Sequence, residues 1–261
     1  MTELFDTHAH LFMKQYESIT PQDLIEEARI NGVKGITSVA LNMEEMVLSL
    51  ELRQNSRDIY VAAGTHPHSA KDYDENFSSS IVKNAGNISL WGEIGLDYHY
   101  NFSPVETQKK VFRTQLELAR EHSIPVMLHI RDAHEDALEI IRHHGAIPGS
   151  VLHCFTADAP MAKKFLDLGF YISFSGIVTF KTADDIRDAL KIVPMEKLLL
   201  ETDSPFLAPH PLRGKTCHPS HIQHTFNFVS DFLRTDPELL SEQIKLNSEK
   251  VMNSHFHGDE N

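Results

Sequence analysis

The sequence predicts an α/β protein, a (β/α)8 TIM barrel built as a single domain over residues 1–261. Three observations point there. Short, nearly continuous apolar runs recur eight times, as expected of parallel strands buried on both faces. Segments with helical spacing or turn chemistry separate them, and strand–helix alternation repeated eight times is the pattern of this barrel. Residues able to bind a metal recur at the C-terminal ends of these runs, the end where barrel enzymes carry their sites. A doubly wound open sheet is the competing arrangement. It would struggle to gather the ends of the first, fourth, fifth, sixth and eighth strands, whereas a closed barrel does so by construction.

In chain order, the first strand is expected at Glu3–Asp6. Thr20-Pro21-Gln22-Asp23 then reads as an N-cap, a proline at the first helical position and an acidic first turn. That helix should run to about Asn31-Gly32, where glycine stops it. Strands follow at Val33–Leu41, Ile59–Gly64 and Ile88–Glu93. Between Glu106 and Glu121, Val111, Phe112, Leu116 and Ala119 recur at helical spacing. The fifth and sixth strands are expected at Pro125–Ile130 and Ser150–Phe155, then a helix at Ala162–Leu168. Phe170–Ser175, a helix over Ala183–Ile192 and the strand Lys197–Thr202 complete the alternation. Two more helices are expected near His221–Leu233 and Pro237–Met252. No linker, repeat or low-complexity tract interrupts the chain.

At 261 residues with 41% hydrophobic content, the chain is long enough for such a barrel, which takes about 250 residues. No run of about 18 apolar residues exists, so no transmembrane span is expected. Met1-Thr2-Glu3 lacks the basic start of a signal peptide, and Cys154 and Cys217 are too few for a disulfide framework. A cytoplasmic, reducing location is the expectation, with no membrane and no obligate protein partner. The net charge of −13, from 24 basic and 37 acidic residues, argues against broad coating of duplex DNA, which rests on Lys and Arg. It does not exclude an enzyme that grips a strand end at bound cations.

The chemistry concentrates in a few places. On an extended strand, residues i and i+2 share a side, so His8 and His10 of Asp6-Thr7-His8-Ala9-His10 project together and can hold a divalent metal. Glu93, His129, His153 and Asp203 each follow an apolar run. A lone histidine in such a place is more often a satisfied core residue. The six together can supply two metals if one carboxylate bridges them.

These residues sit in segments that resemble the TatD family of metal-dependent deoxyribonucleases, within the amidohydrolase-like metal hydrolases. The matching stretches begin with Asp6–Leu11, Gly64-Thr65-His66-Pro67-His68 and Gly92-Glu93-Ile94-Gly95-Leu96-Asp97-Tyr98. They continue with Pro125–Ala133, His153-Cys154-Phe155-Thr156 and Leu199–Pro205, in the family's order. The resemblance implies that His8, His10, Glu93 and Asp203 hold one divalent ion. It implies that Glu93, His129 and His153 hold the other, with Glu93 bridging. Mg, Mn and Zn all suit such sites. The implied reaction is hydrolysis of DNA phosphodiesters, from single strands or strand ends, with 3'-5' exonucleolytic action among the implied modes. Asp203 and Glu93 are its catalytic residues, Asp203 orienting or deprotonating the attacking water.

Other polar residues carry weaker expectations. His66, His68 and Arg131 could contact a substrate phosphate, and Arg213 and Lys215 could add positive charge at the mouth. Asp97 could orient a ligand, and Cys154 should point into the barrel wall. His143, His144, His255 and His257 read as surface residues. One segment departs from the family: Arg213-Gly214-Lys215 continues as Thr216-Cys217-His218-Pro219, without the family's amide and acidic side chains. The alternatives are a metal-dependent deacylase or amidohydrolase acting on aminoacyl-tRNA or a small ester or amide, and a non-catalytic, metal-stabilised interaction module.

Overall fold

Eight strands pair in parallel and in chain order: β1 Leu4–Ala9, β2 Val33–Ala40, β3 Ile59–Ala63, β4 Leu90–Asp97, β5 Val126–Arg131, β6 Val151–Leu152, β7 Tyr171–Phe174 and β8 Leu198–Leu200. They belong to a computed structural model that describes residues 2–16, 18–100 and 102–254. His255 and His257 lie outside the described residues. The helices are α1 Pro21–Ile30, α2 Met43–Asn55, α3 Glu75–Lys83, α4 Val105–Glu121, α5 His134–His144, α6 Ala159–Asp167, α7 Asp184–Ile192, α8 Ile222–Leu233 and α9 Pro237–Met252. The architecture is the (β/α)8 barrel.

The α1 entry behaves as its residues dictate. Thr20 Oγ1 accepts from Asp23 N–H at 3.1 Å, and Thr20 N–H donates to Asp23 Oδ2 at 3.1 Å, a reciprocal capping box. Gly32 follows at φ +87°, a conformation glycine adopts without steric cost. Helices α2, α3 and α5 have no counterpart among the expected helices. Serines interrupt their apolar faces: α2 buries Ser49 between Met46 and Leu52, and α3 buries Ser78 beside Phe77 and Ile81. Helix α5 starts at His134 with Ala133 as its N-cap, which offers no side-chain cap, so only the acidic Glu135 and Asp136 mark its start.

The side chains between sheet and helices form the larger core, around residues such as Phe112, Phe165, Phe170 and Trp91. A second cluster fills the barrel: Phe5, Val39, Ala62, Leu90, Met127, Val151, Tyr171 and Leu199, one from each strand, closed by Val251 and Met252 of α9. Asp6 joins the first and last strands above this plug. The Thr202 N–H and hydroxyl donate to its two oxygens at 2.8 and 2.6 Å, and Asp203 N–H donates to His8 O at 3.0 Å.

Three register irregularities interrupt the described strand pairs, one where β2 gains a residue opposite Leu4 and Phe5, and two that coincide with candidate ligands. Between Asp6 and Ala9, β1 advances three residues while β2 advances two, and between Trp91 and Ile94 β4 does the same against β5. Such bulges re-aim side chains. Thr7 and His8, neighbours in sequence, therefore both reach across the barrel: Thr7 Oγ1 to Ser173 Oγ of β7 at 3.2 Å, His8 Nδ1 to Met127 Sδ of β5 at 3.1 Å. Strand β4 also runs to Asp97, past its expected end at Glu93. Glu93 is thus inside a strand rather than at its tip.

Candidate metal centre

Glu93 is the hub. Its carboxylate is buried, and its two oxygens face different sets of side chains. Oε2 lies 3.5 Å from His8 Nε2 and 3.6 Å from His10 Nε2. Oε1 lies 2.6 Å from His129 Nδ1, 2.7 Å from His153 Nε2 and 3.5 Å from His66 Nε2. On the first side Asp203 Oδ1 completes the group, 3.5 Å from His8 Nε2 and 3.6 Å from His10 Nε2, while the two histidine nitrogens stand 3.1 Å apart. The six positions expected from sequence to bind metal thus converge from five strands.

The donor spacing gives a test of fit. Four tetrahedral ligands held at about 2.1 Å from one ion stand about 3.4 Å from each other. The spacing between His8 and His10, and those from each of them to Glu93 and to Asp203, run from 3.1 to 3.6 Å. Nitrogen and carboxylate donors in that arrangement suit a divalent ion. The second group is drawn tighter by hydrogen bonding, and His129 Nδ1 and His153 Nε2 lie 3.3 Å apart.

Residues behind the ligands orient them. Asp97 Oδ2 is shared by His129 Nε2 at 3.1 Å and His68 Nε2 at 2.8 Å. That leaves the other nitrogen of His129 to face Glu93, the role a carboxylate behind a ligating histidine plays. Glu201 Oε1 does the same for His153, 3.1 Å from its Nδ1. The sequence reasoning gave Glu201 no role. The available signal was a carboxylate directly after Leu198-Leu199-Leu200, since a buried charge needs a partner.

Burial and mutual charge set the protonation. Burial opposes charge on Glu93, but the surrounding His153, His66 and His8 hold its pKa well below the carboxylate norm. His153 goes the other way, well above the usual imidazole value, because Glu93 and Glu201 outweigh burial. Burial and the nearby His153 push His8 down, so it stays neutral. Burial takes His66 to about 4. Asp97 is held far below its ordinary value, its bonds to His129 and His68 overcoming desolvation.

The remaining expectations separate. His66 and His68 adjoin the cluster. Arg131 stands over the Tyr100 ring, 4.9 Å from its centroid, while Asp132 pairs with His99 at 3.2 Å. Arg213 lies against Phe180, 4.0 Å from that ring's centroid, and not among the groups around Glu93. The Cys154 thiol reaches toward the neighbouring strand. Its Sγ is 3.2 Å from Ser175 Oγ at the top of β7, and burial and Asp203 raise its pKa well above normal. The divergent loop is tied to α1: His218 Nδ1 lies 2.9 Å from Glu27 Oε2, and the Ser220 hydroxyl donates to Glu27 Oε1 at 2.7 Å. It closes without entering the cluster.

Comparison with known proteins gives the family and agrees with the fold. The profile of the family described as TatD related DNase matches residues 5–253. The metal-dependent hydrolase YabD of Bacillus subtilis is 39% identical over 231 residues, covering 87% of this chain and 90% of YabD. The metal-dependent hydrolase YcfH of Escherichia coli K12 is also 39% identical, covering 87% of each chain. Both carry the word uncharacterized in their names. The crystal structure of YjjV, a TatD homologue from Escherichia coli, superposes with a TM-score of 0.89 at 26% identity, covering 97% of this chain and 98% of YjjV. The chain belongs to the TatD-related DNase family and is a metal-dependent hydrolase.

Proposed function

We propose that the protein hydrolyses phosphodiester bonds of DNA, acting on single strands or strand ends with two divalent ions, for which Mg, Mn and Zn are the candidates. The observation that carries this reading is the division of the Glu93 carboxylate. One oxygen faces His8 and His10, the other His129 and His153, which is what a carboxylate bridging two ions requires. When bound, such ions supply Lewis acidity for water activation and for charge developing on phosphoryl oxygens. The protein's own groups do the rest. Asp203, 14% exposed at its side chain, can hold the attacking water and accept its proton. His66, His68 and Arg131 can donate to the phosphate, and Arg213 adds positive charge farther out.

The test is incubation of metal-replete protein with end-labelled single-stranded DNA, alongside His129→Ala and a chelator control. Metal-dependent shortening that the variant lacks is expected. The product ladder separates exonucleolytic from endonucleolytic action. Absence of cleavage with Mg, Mn, Zn and Co by folded, metal-bound protein would overturn the nuclease reading in favour of ester or amide hydrolysis. Chelation that unfolds the protein, rather than silencing a folded one, would favour a structural role for the metal.

A further inference from the structure

Among the described residues, the aromatic side chains exposed by more than a third are Tyr100, Phe102 and Phe206, at 42%, 56% and 39%. All three border the metal centre. The other described Phe, Tyr and Trp residues are buried or half-buried. Phe206 stands edge-on to His10 with centroids 6.1 Å apart. On the opposite flank, His68 meets Tyr100 at 5.5 Å and Phe102 at 4.9 Å, both edge-on. Tyr100 and Phe102 lie nearly parallel, 12° apart with centroids at 5.5 Å. The Arg131 guanidinium is over Tyr100 at 4.9 Å.

Rings kept in water on both sides of a hydrolytic centre do nothing for the core, and exposed apolar surface at such a place marks ligand contact. Nucleobases are the ligands that parallel π-faces and an adjoining guanidinium suit, because every base offers a π-face and the backbone between bases is anionic. Resting on the nuclease reading above, we infer that the Tyr100–Phe102 pair and Phe206 are nucleobase-stacking subsites. They bracket the scissile phosphate, one on the His68 side and one on the His10 side. Bases stacked on these rings must have left their own duplex stack. Selectivity for unpaired DNA then comes from the two aromatic flanks, independently of the protein's negative net charge.

The experiment compares wild type, Phe102→Ala and Phe206→Ala on a single-stranded oligonucleotide and on oligonucleotides with one abasic residue at each position near the cleaved bond. Each variant is expected to raise KM roughly tenfold on the intact strand. An abasic residue at the matching position should impose the same loss on wild type and little more on the variant. Binding is read separately in metal-free protein, where 2-aminopurine at the matching position should be quenched by wild type and not by the variant. An unchanged KM, or equal losses on intact and abasic strands, would overturn the subsites while leaving the nuclease reading intact. Failure of wild type to cut any DNA while it hydrolyses other esters would remove both.

Discussion

The two halves of the candidate metal centre are built differently. Around His129 and His153 every ligand is propped from behind: Asp97 holds His129 and Glu201 holds His153. Around His8 and His10 the support is thin. Among the described residues, His8 Nδ1 has only the thioether of Met127, 3.1 Å away, and the buried Nδ1 of His10 has no hydrogen-bond partner. Carboxylates are strong acceptors that set tautomer and ring angle, whereas a thioether is a weak one. The first half is therefore preorganised by its surroundings. The second draws its geometry from the β1 bulge and the close approach of Asp203. Rigidity at this site is a property of particular hydrogen bonds, not of depth, since His8 and His153 are both buried.

Substitutions can break or sharpen this contrast. Glu93→Gln strikes both halves, and a loss of about 10³-fold or more in hydrolysis is expected. Metal analysis should then show depletion at both positions; depletion at one alone would mean that Glu93 does not bridge. Asp203→Asn should cost about 10²- to 10³-fold in turnover with much less change in KM, and near-native turnover would dismiss Asp203 as the group acting on water. Asp97→Asn and Glu201→Gln should each lower metal affinity or activity by about 10- to 100-fold, read by titrating metal into stripped protein. If the halves differ as argued, the weaker step of that titration should shift and the other stay. Met127→Leu, which removes only the thioether behind His8, should cost less than about tenfold. A loss matching Asp97→Asn would show that the His8 half depends on its backing as much as the other.

Much of this was legible from residue order. The capping box at Thr20 and Asp23, the helical stripe of α4 and the apolar runs that became strands all express local preferences, which act over a few residues. The same holds for the HxH pair, because strand periodicity alone puts His8 and His10 on one side. The orienting residue that was missed is one whose role depends on a distant partner. Glu201 lies 48 residues from His153, whereas Asp97, expected to orient a ligand, does so for His129 of β5 and also holds His68 of the turn after β3. Helices α2, α3 and α5 escaped because serines break their apolar stripes or no cap marks their start. The left-handed backbone of Cys154, at φ +44°, is another feature that no strand pattern predicts.

The sequence by itself determined the barrel, the order of its strands and which five candidate ligands would gather with Glu93, because hydrophobic period and ligand chemistry are written locally. Tertiary structure alone decided that one Glu93 oxygen serves each half, that two bulges turn His8 and Glu93 inward, and that the exposed rings collect at the mouth. Those outcomes follow from strand register and closure of the sheet, in which residues far apart along the chain fix each other's direction.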